Sequence, residues 1–124
     1  MLLLLACVRE PEIDSGSNFT VVGSSPEDGD EEVSEAALPE LRLSEPGDVT
    51  TCAGAARLDA VDAEGQVLFP VVTTTVFSSS DEKLQLEHDI PLHRGYDFAL
   101  TLNGECTSLD GEVVAPFFAR FRVP

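Results

Sequence analysis

The sequence predicts an all-β fold, a β-sandwich of about seven short strands, on three observations. Apolar residues recur at every second position in several segments. No segment carries the 3.6-residue period of an amphipathic helix, and clusters of Gly, Pro, Ser and acidic residues divide the chain at short intervals.

Each element has its own reason. Phe19 to Gly23 is apolar and β-branched and stops at the turn cluster SSPEDGDEE. Residues 40–44 alternate polar and apolar, with Leu41 and Leu43 on one face, until the breaker Glu45-Pro46-Gly47-Asp48. Ala56, Leu58 and Ala60 share a face of the next strand, which ends at the turn 62–65. Gln66 to Phe77 is β-branched but holds Pro70, which cannot donate to a ladder, so it reads as two short strands or a bulged edge. A serine-rich loop over 78–82 precedes Leu84 and Leu86, which alternate with Gln85 and Glu87. Tyr96, Phe98, Leu100 and Leu102 define a strand, and Phe117, Ala119, Phe121 and Val123 the last one. On that last strand Phe118 falls on the face of Arg120 and Arg122, where it marks a candidate surface contact.

Four phrases in this order resemble the bacterial Ig-like domain of the SbsA S-layer type. They are VVGSSPEDGDEEV (21–33), LRLSEPGD (41–48), PLHRGY (91–96) and APFFARFRV (115–123). The resemblance covers 19–124 and implies an Ig-like or fibronectin-III-like sandwich. Two features depart from the pattern: the tyrosine stands two residues early, and CTSLDGE (106–112) replaces the usual Asp-x-x-Gly-Asn. Independently of any family, Pro26, Asp28 and Gly29 make a stiff turn that lets the first strand stop and the chain re-enter the other sheet. Tyr96, after Gly95 at a strand start, is placed either for a tyrosine corner or as a half-buried aromatic.

The 124 residues suffice for one domain with one core. Seven Lys and Arg face 23 Asp and Glu, a formal net charge of −16 with no basic cluster. Such a field repels a phosphate backbone, which argues against nucleic acid as a partner. No apolar run approaches the roughly 20 residues that span a bilayer.

The chain starts MLLLLAC and turns polar at once. Leu4, Leu5, Ala6 and Cys7 resemble the lipobox of bacterial lipoproteins, which implies cleavage before Cys7 and lipidation of its thiol. No Lys or Arg precedes Cys7, and the apolar stretch is shorter than the about 7–15 residues of an export signal, so a longer signal is expected upstream. The expected organisation is therefore a signal remnant (1–6), a lipid-anchored flexible tether (7–18) and the sandwich domain (19–124). With Cys7 assigned to the anchor, Cys52 and Cys106 remain, and an exported compartment permits them to pair.

Candidate chemistry is sparse. Asp28, Asp30 and Glu31, within the acidic run 27–32, are candidates for Ca2+, but the run lacks the EF-hand spacing and reads as a solvated turn. His88 and His93 flank Asp89 without a third ligand, and no metal or other cofactor is assigned. There is no G-x-S-x-G, C-x-x-C or phosphate-binding glycine loop. The expectation is a non-enzymatic, monomeric, lipid-anchored domain at the outer membrane or cell surface, acting as a spacer or contacting other envelope proteins. The alternative is a module that binds a glycan, a peptide or Ca2+ through loops at one end of the sandwich.

Overall fold

The computed structural model describes residues 18–124; the signal remnant, Cys7 and the tether up to Ser17 lie outside the described residues. Among the described residues, eight strands and one helical turn follow in the order β1 (Val21–Ser25), β2 (Glu40–Leu43), α1 (Val49–Cys52), β3 (Ala56–Val61), β4 (Val67–Pro70), β5 (Thr74–Ser78), β6 (Lys83–Glu87), β7 (Tyr96–Leu102) and β8 (Phe117–Val123). They form two antiparallel sheets of order β8-β7-β3-β4 and β1-β2-β6-β5, a sandwich.

Alternation sets the inner faces. In β7, Phe98 lies between Ala60 of β3 and Phe121 of β8, and Leu100 between Leu58 and Ala119. Small residues beside large ones let the faces interdigitate with Leu41, Leu43, Leu84 and Leu86 of the second sheet, all buried. Phe98 and Phe121 stack at 5.7 Å between ring centroids.

The segment split at Pro70 is two strands belonging to different sheets. β4 pairs with β3 and β5 with β6. Pro70 is tolerated because β4 is an edge strand, and the chain crosses between sheets over residues 71–73. The first strand begins at Val21 rather than Phe19, whose ring is instead fully buried against the core. The helical turn α1 was not expected from any periodicity. It is local chemistry: Asp48 caps it, its carboxylate accepting from the Thr50 N–H at 2.9 Å and the Thr50 hydroxyl at 2.7 Å. These bonds hold the Asp48 carboxyl below its ordinary range.

Three of the four sheet edges are blunted. β1 is broken by a register shift between Val21 and Gly23, and β4 is short and ends in proline. β8 is covered by the turn after β1: Gly29 N–H donates to Arg120 O at 2.7 Å, Arg122 N–H to Asp30 O at 2.8 Å, and Val33 N–H to Arg122 O at 3.1 Å. Gly29 takes φ +91°, a conformation that favours glycine, as this segment swings from one sheet to the other. Among the described residues no helix is long and apolar enough to cross a membrane.

Candidate functional site

The two ends of the sandwich are chemically different. At one end Cys52 and Cys106 are joined in a disulfide with Cα atoms 4.0 Å apart, both side chains fully buried. Cys52 closes α1, and Cys106 stands in the loop before β8, so the bond ties the two loops together. Hydrogen bonds reinforce it: Asp48 N–H donates to Thr107 O at 2.8 Å, and Thr107 N–H to the Thr51 hydroxyl at 3.0 Å. Beside it loss of solvent, and then the neighbouring Glu112, push the Glu45 carboxyl above its ordinary range.

Of the calcium candidates Asp28, Asp30 and Glu31, the first two also take part in the fold of their own turn. Asp28 Oδ1 accepts the Arg120 N–H at 2.8 Å, and Asp30 Oδ2 accepts the Glu27 N–H at 3.1 Å. They serve the turn that covers β8. Among the described residues no group of three or more His, Cys, Asp or Glu is arranged to hold a metal ion. Behind that turn Asp97 receives two guanidinium groups, from Arg120 at 2.7 Å and Arg122 at 2.9 Å. The Arg120 hydrogen bond is the main reason that the Asp97 carboxyl titrates below its ordinary range. Sequence alternation had placed Phe118 on this arginine face, and it is exposed there.

A groove of about 400 Å³ opens at the other end, between the β4–β5 crossing and the β6–β7 connection. From Tyr96 beside the groove, β7 runs roughly 20 Å to Leu102 near the disulfide. The lining is mainly apolar, including Val71, Val72, Ile90, Leu92 and Phe98, with Asp89, His88 and His93 among them. Val72 and Ile90 are 89% and 74% exposed. Phe69, His93 and Tyr96 meet edge to face, with centroids 5.4–6.1 Å apart. Gly95, at φ +85°, turns the chain into β7 with its N–H donating to Val123 O, and the Tyr96 ring lies over Phe69, with no hydrogen bond from its hydroxyl to the described residues.

His88 holds the groove's outer wall in place. Its Nδ1 lies 2.7 Å from Ile90 O and its Nε2 2.7 Å from Ala37 O, while Leu92 N–H donates to Glu35 O at 2.9 Å. Both ring nitrogens thus face backbone carbonyl oxygens.

The flank that holds the groove has one property the motifs did not reveal. From Gln66 to Ser80 no residue carries a charge, in a chain with a net charge of −16. This stretch contains β4, the crossing and β5, and it exposes Val67, Leu68, Val72 and Val76. A scan for the absence of charge, rather than for functional groups, would have found it in the sequence.

Against protein-family models the chain has no match, and no curated protein matches it either. Solved structures do resemble it. The S-layer protein rSbsC(31–844) superposes with a TM-score of 0.59 at 11% identity over 84% of this chain, which spans 13% of that one. CopC from Methylosinus trichosporium OB3b gives 0.60 at 18% identity, covering 84% of this chain and 91% of its own. The native conformation of E. coli alpha-2-macroglobulin gives 0.58 at 17% identity over 86% of this chain and 6% of its own. At these identities the likeness is one of fold.

Proposed function

We propose that this protein is a non-enzymatic, exported cell-envelope domain, anchored through a lipid on Cys7, that works by contacting another protein. The carrying observation is the uncharged stretch 66–80, with exposed Val67, Leu68, Val72 and Val76 beside the groove, in a chain of net charge −16. A contiguous apolar patch rimmed by polar residues is the usual mark of an interaction surface. The Cys52–Cys106 bond supports export, since disulfides persist in oxidising compartments. The fold shared with an S-layer protein supports an envelope role.

The test is site-specific photo-crosslinking in the envelope of cells making the full-length chain. A crosslinker at Val72 is expected to give a discrete adduct, whereas one at Phe118 gives none; no adduct at Val72 refutes the contact. In the same cells Cys7→Ser should release the protein from membranes, and unchanged partitioning refutes the anchor.

A second reading, a small-ligand module, is favoured by the groove's size, which falls within the roughly 300–1,000 Å³ of small-molecule sites. Its occupant would be apolar, with an aromatic stack formed by Phe69, His93 and Tyr96. Saturable quenching of Tyr96 fluorescence by an apolar probe would support it, and an unaltered signal would end it.

A further inference from the structure

We infer that the free edge of β5 takes up an extended peptide segment of a partner protein, apolar and β-branched in its middle and basic at both ends. This rests on the protein-contact reading and adds to it the mode of contact and the chemistry of the partner.

Among the described residues β5 pairs only with β6 and forms the edge of its sheet. Of the four sheet edges among the described residues, it is the one without a protecting device. β8 is covered, β4 ends in Pro70, and β1 is bulged, but Thr74–Ser78 has no proline, glycine or charge. Its side chains alternate: Thr75 and Phe77 are half-buried, while Thr74, Val76 and Ser78 are exposed. An added strand would therefore find unpaired backbone groups on its hydrogen-bonding side and a neutral row of short side chains on the open face. Beyond Thr74 the same line leads past Val72 to the groove, which would accept the next apolar side chain.

Charge chooses the occupant. Glu87 pairs with Thr74, and Asp89 lies just beyond it, so one end of the edge is acidic. Asp81 and Glu82 follow Ser78 at the other end, where the cation of Lys83 is already 3.6 Å from Glu40. Lys or Arg flanking a neutral centre complements both ends. A second copy of this chain does not fit. Antiparallel pairing of β5 with itself would set Asp81 and Glu82 against the Glu87 and Asp89 of the other copy, between two molecules of charge −16.

The test uses three synthetic peptides against the oxidised domain in low salt: KKTVTVTVKK, its acidic counterpart EETVTVTVEE, and the proline-broken KKTVPVTVKK. Fluorescence anisotropy is expected to show saturable binding of the first and at least about tenfold weaker binding of the other two. Amide shifts should concentrate on Thr74–Ser78 and spread to Val72. Two exposed-surface variants, Glu82→Lys and Asp89→Lys, leave the edge backbone intact and should each weaken the first peptide severalfold.

Equal binding of the proline-broken peptide, or shifts confined to the groove, would overturn strand addition while leaving the contact reading to its crosslink at Val72. Equal binding of the acidic peptide would overturn the assigned partner chemistry. A dimer held through β5 would overturn the argument against a second copy.

Discussion

Removing the Cys52–Cys106 bond, by Cys52→Ala with Cys106→Ala or by reduction and alkylation, tests how the fold is held. The two residues are 54 apart in sequence. In the chain-entropy account, closing a loop of that length restricts the denatured ensemble by about 14 cal/mol/K, or about 4 kcal/mol at 25 °C. Domains of this size are stable by only about 5–15 kcal/mol, so the loss is a large fraction of the total. Urea unfolding at pH 7 should show that difference, and thermal unfolding a fall of roughly 15–20 °C. The opened chain also exposes more surface when unfolded, so its urea m-value should rise. A difference under about 1 kcal/mol with unchanged m would refute the reasoning. It would mean that the denatured chain already keeps these two segments close together without the bond.

Other perturbations read other parts of the molecule. Phe98→Ala removes a fully buried ring stacked on Phe121 and should cost about 3–5 kcal/mol in urea unfolding. Asp97→Ala leaves Arg120 and Arg122 without their carboxylate and should cost about 1–3 kcal/mol at pH 7. Because the Asp97 carboxyl is lowered in the fold, its contribution is complete above the ordinary value of 3.8 and is lost as pH falls through the lower folded value. Stability measured across that acid range should therefore decline less in Asp97→Asn than in the parent. Gly47→Ala would place a Cβ 3.0 Å from the Leu43 side chain and 3.1 Å from the Cys52 sulfur, and should lower stability by about 1–3 kcal/mol. Equal melting temperatures for Gly47→Ala and the parent would show that this corner is loosely packed.

Much of the sandwich was legible because strand burial has period two. Leu41 with Leu43, Leu84 with Leu86, and the Phe98–Leu102 series each reported a buried face without any tertiary knowledge. Pairing between sheets was not legible. The split at Pro70 could be read, but that β4 and β5 separate into different sheets depends on contacts with β3 and β6, distant in sequence. α1 was missed because a single capped turn has no periodicity. Tyr96 was ambiguous because a strand-start position does not say which way the ring turns.

By itself, the sequence determined the all-β class, the inner-facing residues and the acidic balance of charge. These follow from local alternation and from composition. Only the tertiary structure decided that the acidic turn covers β8, that the His88 ring lies between the carbonyls of Ala37 and Ile90, and that the uncharged stretch presents an open β5 edge beside a groove. Each of those depends on residues brought together from far along the chain, and no local pattern encodes such a meeting.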